Sequence, residues 1–191
     1  MLYLASQSPR RRELLGQLGV SFSILDVDVA EVPFPEERPV DYVRRVARDK
    51  AQAGWEVLER HAQAEALVLA SDTEVVLGER IFGKPKDADD AMHMLQALSG
   101  CTHEVISAVC VLSAKREHDD VCISRVRFAQ VDEAEMAAYV ATGEPFGKAG
   151  AYAIQGKGAS LIEYLEGSYS GVMGLPLFET ARLLRTFGVA V

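Results

Sequence analysis

The sequence predicts a single α/β domain over residues 1–191, with a mixed, largely parallel twisted sheet, flanking helices and two lobes around a central cleft. Three observations support this fold class. Segments with the pattern of strands alternate with segments of helical periodicity, which is typical of α/β proteins. Residues 66–70 are continuously apolar, as expected for a strand buried on both faces. A polar turn between two later strand-like segments predicts one antiparallel hairpin within that alternation.

The first helix has clear start signals. A short apolar run over residues 2–5 predicts a strand, and a helix follows after Ser8. Ser8 is a favourable N-cap, and Pro9 is a favourable first helical residue. Three leucines in residues 9–18 supply the apolar stripe of this helix. The beginning of the chain is therefore predicted as strand, loop and helix.

Turn residues and apolar spacing define the remaining elements. Residues 26–39 hold three prolines and several acids, which predicts a loop, and Gly54 could mark a break in the helix that follows. Seven of the fifteen glycines lie in residues 147–174, and a glycine-rich segment of this length more often lines a ligand than simply connects elements. The predicted elements after the first helix are a strand over 21–25, a helix over 40–58, a strand over 66–70, a helix over 88–98 capped by Asp87, strands over 104–113 and 121–130 joined by a turn over 115–120, and helices over 132–142 and 176–187.

The composition is that of an ordinary globular protein, since 49% of the residues are hydrophobic and 25% are charged. The net charge of −8 argues against a nucleic-acid-binding surface, and a local cationic cluster in an acidic chain better suits a small anionic ligand. No apolar run approaches the ~20 residues of a membrane span, and the N-terminus lacks the layout of a signal peptide. We therefore expect a cytoplasmic protein with no membrane or nucleic-acid partner.

The cysteines and histidines predict neither a disulfide framework nor a metal cluster. Cys101, Cys110 and Cys122 are odd in number and match no zinc spacing, so we expect reduced thiols with a structural role. The four histidines are scattered along the chain.

Three consecutive arginines break a rule of helix electrostatics. Arg10, Arg11 and Arg12 lie in or beside the first turn of the first helix, where the macrodipole is positive and backbone N–H groups are unpaired. Cations at this end are unfavourable by roughly 0.3–1 kcal/mol each. A bound phosphate would remove this cost, because the same N–H groups and the guanidinium groups can hold it. The sequence favours a phosphate site at this turn; the alternative is that the arginines face water.

A pair of acidic residues follows the buried apolar run. Asp72 and Glu74 come directly after the predicted strand, and open α/β sheets place ligand sites at the carboxyl ends of strands. If the strand continues, the two carboxylates share one face and offer oxygen ligands to a hard cation such as Mg²⁺. The alternatives are that one carboxylate orients a water molecule, or that the strand simply ends in solvent.

Four further polar residues suit a ligand that carries both anionic phosphate groups and a nucleobase. Lys84 lies in a tight turn, where it could neutralise phosphate oxygens or remain solvated. Lys50 is in register with the inward face of its helix, so it either extends to the surface or reaches an internal anion. Lys148 and Gln155 stand out in the glycine-rich segment. A glutamine amide offers a donor and an acceptor to the edge of a base, and a structural role is the alternative.

Taken together, these motifs resemble the Maf family along nearly the whole chain. Residues 4–11 read LASQSPRR, and the later motifs read SDT from residue 71, GKP from 83, KAGAY from 148 with IQG from 154, and GLP from 174. They occur in the family's order and at its spacing. The resemblance implies a nucleoside triphosphate pyrophosphatase that releases a nucleoside monophosphate and pyrophosphate with a divalent metal, Mg²⁺ or Mn²⁺.

The resemblance also implies roles for individual residues. Asp72 matches the acidic catalytic residue, usually described as the proton acceptor, and Lys50 and Lys84 match active-site positions. Glu31 matches an acidic position linked to metal or water, so Glu31 and Asp72 are the implied metal ligands. The implied substrate-binding residues are Ser8, Arg10, Arg11, Thr73, Lys148 and Gln155, of which Arg10, Thr73 and Gln155 match the positions that separate subfamilies by base.

Two stretches indicate the branch of the family. The Asp72-Thr73 pair and the run AYAIQG over residues 151–156 resemble the branch that acts on dTTP and UTP. One alternative is the same reaction on 7-methyl-GTP or CTP. Another is a nucleotide-binding regulator of cell division without turnover. The sequence leaves open whether the protein forms a homodimer.

Three residues depart from the family's pattern. Ser71 replaces a common alanine, Glu74 stands where an apolar residue is usual, and Gly147 replaces the usual aspartate before Lys148. Glu74 could perturb the strand or add a metal ligand, and the contact supplied by the aspartate could be missing. None of the three departures removes a core catalytic position.

Overall fold

One mixed sheet forms the centre of the protein. The computed structural model describes residues 1–58 and 60–191. In chain order the strands are β1 (Leu2–Ala5), β2 (Phe22–Leu25), β3 (Leu67–Leu77), β4 (Arg80–Phe82), β5 (Thr102–Ser113), β6 (Glu117–Phe128) and β7 (Ile162–Glu166). Across the sheet they are ordered β2-β1-β3-β5-β6-β7, and β4 pairs with β3 off this path.

Helices cover both faces of this sheet. In chain order they are α1 (Pro9–Gln17), α2 (Pro39–Glu56), α3 (Arg60–Gln63), α4 (Ala88–Leu98), α5 (Glu133–Val140), α6 (Tyr169–Met173) and α7 (Leu177–Thr186), with two short 3₁₀ turns at Ala149–Ala151 and Lys157–Leu161. Within the part of the chain that the structure describes, no helix combines the length and the apolar character that a membrane crossing requires.

The prediction of a mixed sheet is confirmed, and its parallel part is confined to one side. β1 pairs in parallel with both β2 and β3. The pairings β3–β4, β3–β5, β5–β6 and β6–β7 are antiparallel, so the parallel character is smaller than the sequence predicts. Parallel neighbours need crossover connections, which α1 and α2 supply, whereas β5 and β6 join through a short turn.

The two faces of β3 carry different cores. Val68, Ala70 and Val76 pack under α2 on one face. On the other face, Leu69 packs with α1 and α7 near the start of the strand, and Val75 packs with α4 and α5 near its end. β3 therefore runs through two packed regions, and a cleft lies between them beside the middle of the strand.

Gly54 does not break α2, which is continuous from Pro39 to Glu56. A Cβ atom at position 54 would lie only 2.9 Å from the Cβ of Ala5 and 2.9 Å from the Cγ1 of Val68. The glycine therefore allows the helix backbone to approach the sheet closely, and this packing need replaces the predicted role as a helix breaker.

The main differences from the predicted elements concern β3, β6 and the glycine-rich segment. β3 continues to Leu77 instead of ending at residue 70, because its polar residues still pair with β5 along a continuous ladder. β6 begins at Glu117, so the hairpin turn spans only residues 114–116. The polar start of β6 is held by α2, where Arg44 donates to Asp119 at 2.7 Å. The glycine-rich segment contains β7 and α6, two elements that the pattern did not predict.

Candidate active site

A pocket occupies a gap in the sheet beside β3. β1 pairs with β3 only as far as Leu4 opposite Leu69, and β4 begins to pair at Val75 opposite Phe82. Between these points, residues 70–74 pair with β5 on one side, and no strand of the described chain pairs with them on the other. A cavity of about 420 Å³ lies at this gap. Its walls come from the β1–α1 loop, the loop after β2, α2, β3, the loop after β4 and the glycine-rich segment.

Asp72 lies in the middle of β3, which corrects the prediction that it follows the end of a strand. Because side chains alternate along a strand, Asp72 and Glu74 share one face of β3, as predicted for a continuing strand. This face is the one that α2 covers. Thr73 projects to the other face. The gap beside the strand lets all three side chains line the same pocket.

Four charged side chains form a row of ion pairs along one wall. The Nζ of Lys84 lies 2.6 Å from the Oε2 of Glu31, and the Nζ of Lys50 lies 2.6 Å from the Oε1 of Glu31. The Nζ of Lys50 also donates to the Oδ1 of Asp72 at 2.7 Å. Lys50 and Asp72 are buried, whereas Lys84 is exposed. Lys50 thus reaches an internal anion, which decides between the two alternatives that the sequence left open.

Glu31 and Glu74 of the pocket are in opposite electrostatic states. Partial burial alone would raise the pKa of Glu31, but the charge of Lys50 and hydrogen bonds from Lys50 and Lys84 lower it to about 2. Burial raises the pKa of Glu74 to about 8, and the negative charges of Asp72 and Glu31 act in the same direction. Glu31 is therefore ionised at neutral pH, whereas the ionised form of Glu74 is disfavoured unless a cation approaches it.

Two buried carboxylate oxygens of the pocket have no hydrogen-bond partner in the described structure. They are the Oδ2 of Asp72 and the Oε2 of Glu74. Unpartnered buried acceptors are unfavourable, and carboxylate oxygens are the ligands that hard divalent cations prefer. The donor set therefore fits Mg²⁺ or Mn²⁺. Residues 1–58 and 60–191 assemble no group of three or more metal-ligating side chains, so water and phosphate oxygens would have to complete the coordination.

The start of α1 forms another wall, and its predicted N-cap is confirmed. The backbone N–H of Arg11 donates to the Oγ of Ser8 at 3.4 Å. Arg10 and Arg11 line the pocket, whereas Arg12 is exposed outside it. The Nε of Arg11 donates to the carbonyl of Gly174 at 2.8 Å, and the Nε of Arg10 donates to the carbonyl of Met173 at 3.4 Å. Among the described residues, the terminal nitrogens of both guanidinium groups have no protein hydrogen bond, which suits them to an anion.

The carbonyl of Gly174 connects α1 to β3. In addition to the bond from Arg11, it accepts hydrogen bonds from the Oγ of Ser71 at 3.0 Å and the Oγ1 of Thr73 at 3.4 Å. The Oγ1 of Thr73 also lies 2.7 Å from the Oγ of Ser107. Gly174 has a φ of +124°, which favours glycine over other residues and explains the glycine of the GLP motif. Thr73 lines the pocket with its hydroxyl already held by protein groups.

Gln155 and Lys148 lie on the glycine-rich wall. Gln155 is exposed at the pocket, and its side-chain amide makes no hydrogen bond to described protein groups. The Nζ of Lys148 donates to the carbonyl of Glu144 at 2.5 Å and to that of Phe146 at 3.3 Å. The structure therefore brings both residues to the pocket, with the amide of Gln155 free to pair with a ligand.

Glu144 organises the same wall, although the sequence did not indicate it. Its carboxylate accepts hydrogen bonds from the hydroxyl of Tyr139 at 2.8 Å and from the backbone N–H groups of Lys157 and Gly158, each at 2.9 Å. These bonds fix the turn that follows Gln155. An isolated glutamate in a loop has no distinctive sequence signal, so the sequence alone does not single out Glu144.

Comparisons with known proteins agree with the resemblance in the motifs. The family described as Maf-like protein matches residues 1–187. A protein of Xanthomonas oryzae pv. oryzae named dTTP/UTP pyrophosphatase is 56% identical over 189 residues, which cover 98% of this chain and 99% of that protein. A protein of the same name from Xanthomonas campestris pv. campestris is 57% identical over 189 residues, covering 98% of this chain and 99% of its own length. One from Cupriavidus pinatubonensis is 56% identical over 190 residues, covering 96% and 95% respectively.

A solved structure, that of the Staphylococcus aureus Ham1 protein, aligns with 68% of this chain and 72% of its own at 12% identity and a TM-score of 0.44. This likeness is too weak to support an argument about the fold.

Proposed function

This chain belongs to the Maf family, and from this premise we propose that it is a nucleoside triphosphate pyrophosphatase that hydrolyses dTTP and UTP to the monophosphate and pyrophosphate. One structural observation carries the proposal. Asp72 presents a buried, unpartnered Oδ2 in a pocket that also contains Lys84 and the guanidinium of Arg11. An acidic group beside several cations suits hydrolysis of a phosphoanhydride, whereas a protein that only binds nucleotide needs no such acid.

The chemical step is the attack of water on the α-phosphorus, with pyrophosphate as the leaving group. The Oδ2 of Asp72 accepts the proton of this water or orients it, and it can instead hold the metal. The Oδ1 of the same carboxylate receives the hydrogen bond from Lys50, which fixes the orientation of the group. A positioned proton acceptor typically contributes roughly 10²–10⁴-fold to the rate.

Cationic side chains hold the triphosphate. Arg11 offers its terminal guanidinium nitrogens beside the N-terminus of α1, and Ser8 and Arg10 border the same turn. Lys84 is paired with Glu31, so an incoming phosphate competes with this carboxylate for the ammonium group. Donors held in place by the fold stabilise the charge that develops on the phosphate oxygens.

Carboxylates of this pocket could hold the metal that the family resemblance implies. Asp72 and Glu31 are the residues that the family resemblance assigns to it, and Asp72 has a free oxygen for the purpose. Both oxygens of Glu31 have lysine partners, so direct coordination by Glu31 requires that one lysine be displaced. When bound, a divalent cation supplies Lewis-acid stabilisation of charge on the phosphates.

Gln155 is the proposed reader of the base, with Thr73 and Arg10 bordering the same space. Thymine and uracil share an edge of carbonyl, N–H and carbonyl, which one amide can pair with through its donor and its acceptor. Cytosine inverts part of this pattern and would leave a polar group unpaired once the bound base covers the amide, at a cost of roughly 1–3 kcal/mol. The 5-methyl group of thymine should discriminate dTTP from UTP only weakly, since one methyl group changes kcat/KM by only about 10- to 200-fold.

The test is a substrate panel. Pyrophosphate release from dTTP, UTP, CTP and 7-methyl-GTP is measured with Mg²⁺ and again with Mn²⁺, and kcat/KM is compared within each metal condition. We expect dTTP and UTP to be the good substrates. A preference for 7-methyl-GTP or CTP would overturn the branch assignment but not the reaction. Tight binding of dTTP with no pyrophosphate release under either metal would instead support the nucleotide-binding regulator.

A further inference from the structure

We propose that Asp72 and Glu74 together hold the divalent cation of this pocket and that they bind it before any nucleotide arrives. This inference deepens the proposed function and rests on it for the chemistry that the cation serves. It differs from the ligand pair that the family resemblance implies, because it replaces Glu31 by a glutamate found where the family usually has an apolar residue.

Among the described residues, Asp72 and Glu74 are the buried acidic residues, and each has one carboxylate oxygen without a partner. Asp72 is 4% exposed and Glu74 is 7% exposed, and both line the cavity. The Oδ2 of Asp72 and the Oε2 of Glu74 have no hydrogen-bond partner in the described structure. Carboxylates are almost never fully buried without a partner, so the two unpartnered oxygens favour a cationic ligand at this position.

The placement of both residues on β3 puts the two carboxyl groups in the same pocket. They are two positions apart and share one face of the strand, with a Cα separation of about 6–7 Å. β3 is paired with β5 throughout this stretch, so the carboxylates stand on a rigid element. Mg²⁺ is commonly bound through one or two carboxylates, with water and substrate phosphates supplying the other oxygens. A two-carboxylate site therefore suffices without a third ligand from the chain.

The charges around the pair favour Glu74 over Glu31 as the second ligand. Both oxygens of Glu31 are in ion pairs, at 2.6 Å from Lys50 and 2.6 Å from Lys84. Lys50 also occupies the Oδ1 of Asp72 and leaves the Oδ2 free. Glu74 has neither a hydrogen bond nor an ion pair to any described residue through its Oε2. A cation at the Asp72–Glu74 pair thus satisfies the unpartnered oxygens and leaves the lysine contacts of Glu31 intact.

The experiment measures Mn²⁺ binding to the full chain in the absence of nucleotide. Electron paramagnetic resonance follows free Mn²⁺ during a titration, and competition with Mg²⁺ shows that both ions use the same site. The wild-type protein should bind one Mn²⁺ with a Kd of about 1 mM or tighter. Glu74→Gln, which keeps the shape of the side chain, should weaken binding at least tenfold. Glu74→Val should do the same, and it restores an apolar residue to the strand, so the fold is preserved.

Glu179→Gln is the matched control. Among the described residues, Glu179 is the other glutamate with a buried, unpartnered Oε2, and it lies outside the pocket. Its substitution should leave Mn²⁺ binding unchanged. Thermal unfolding supplies a second readout, since a given concentration of Mn²⁺ should raise the Tm of the two Glu74 variants by less than that of the wild type and of Glu179→Gln.

Two results would overturn the proposal. One is wild-type Mn²⁺ affinity in Glu74→Gln and Glu74→Val. The other is a wild-type protein that binds no Mn²⁺ at millimolar concentration without nucleotide. If Mn²⁺ binds through Glu74 but no nucleotide of the substrate panel is hydrolysed, the metal site stands and the proposed function fails. If the nucleotides of the panel are hydrolysed and substitution of Glu74 leaves the Mn²⁺ affinity unchanged, the proposed function stands and the proposed metal site fails.

Discussion

Lys50 and Asp72 form a buried ion pair of 2.7 Å that joins α2 to the middle of β3. The same ammonium group lies 2.6 Å from Glu31, so one lysine satisfies two carboxylates from two other parts of the chain. This contact belongs to both the fold and the pocket. It holds the helix against the sheet, and it leaves a single oxygen of Asp72 free to face a ligand.

Replacement of Lys50 should therefore lower stability. Lys50→Met leaves the buried Asp72 without its cation, and breaking a buried pair by removing one partner costs about 3–5 kcal/mol. Because Glu31 is partly exposed, we expect a value at the lower end of this range. Urea unfolding measures the change. The double variant Lys50→Met/Asp72→Asn should lose less than the sum of the single variants.

Arg38→Met is the control for Lys50→Met. Arg38 pairs with Asp41 at 2.6 Å on the surface, where both side chains are well exposed. Its loss should leave the free energy of unfolding nearly unchanged, because exposed ion pairs contribute little. Equal losses for Lys50→Met and Arg38→Met would show that the buried pair is not a structural anchor.

Asp72→Asn should abolish hydrolysis while the protein stays folded. The amide keeps an oxygen toward Lys50 but removes the negative charge that the free oxygen needs, whether it accepts a proton or binds the cation. Steady-state pyrophosphate release with saturating dTTP and Mg²⁺ should fall by roughly 10²–10⁴-fold. Asp89→Asn, an exposed acid in the first turn of α4, is the control and should keep wild-type activity. Activity of Asp72→Asn within about tenfold of wild type would contradict the role of Asp72 as proton acceptor.

Phosphate contacts and base contacts should separate in a mutant series. Arg11→Ala or Lys84→Ala should lower kcat/KM for every nucleotide by a similar factor, since the phosphates carry no base information. Gln155→Ala should reduce the preference for dTTP over CTP, and the loss of one paired amide corresponds to roughly 1–3 kcal/mol. A change in the dTTP-to-CTP ratio with Lys84→Ala, or an unchanged ratio with Gln155→Ala, would show that these residues are assigned to the wrong ends of the substrate.

Stability should also depend on pH through His103. Burial lowers the pKa of His103 to about 4, and the ring pairs with the hydroxyl of Tyr152 at 2.9 Å. In the unfolded chain a histidine titrates near 6.5, so between pH 6.5 and pH 4 the unfolded state binds more protons. The contribution of neutral His103 is complete above pH 6.5 and decreases as the pH falls through this window, by up to about 2 kcal/mol at pH 5.

His103→Phe isolates this effect. The aromatic ring should keep its packing against Phe128 but cannot bind a proton. Denaturant unfolding at pH 7 and at pH 5 gives the pH-dependent loss for each protein, and other groups cancel in the difference. If the free energy of unfolding of His103→Phe falls between pH 7 and pH 5 by as much as that of the wild type, a group other than His103 dominates the pH dependence in this range.

Two glycines in helices should respond to alanine in opposite ways. Gly54→Ala places a Cβ 2.9 Å from Ala5 and Val68, and overpacking of this kind typically costs about 1–3 kcal/mol. Gly16→Ala in α1 meets nothing within 4 Å, so the helix propensity of alanine should stabilise the protein by about 0.5–1 kcal/mol. Thermal or urea unfolding of the pair tests both signs. Stabilisation by Gly54→Ala would show that the helix does not need close approach at that position.

Local signals in the sequence were sufficient for some parts of the site. The N-cap at Ser8 depends on a few neighbouring residues, so the start of α1 was predicted correctly. The inward position of Lys50 follows from helical periodicity alone, and the structure confirms it. Such features are set by contacts within one or two turns of the chain, which is the range that a pattern can describe.

Contacts between distant segments could not be predicted in the same way. β3 continues past Asp72 because β5, more than thirty residues later, pairs with it, and the polar residues 71–74 look like a strand end when read alone. The close approach at Gly54 depends on β1 and β3 lying beneath the helix. The pocket exists because β1 ends before β4 begins, and this relation between three strands has no counterpart in the spacing of residues.

The gap beside β3 also bears on how the protein behaves at high concentration. An unpaired strand edge is a template for a strand of another molecule, and residues 70–74 form such an edge. This edge carries Asp72 and Glu74 and faces Arg11 and Lys84 across the cavity. A second chain could extend the sheet here only by burying those charges. The charged side chains at this gap therefore disfavour edge-to-edge pairing with a second chain, in addition to forming the pocket.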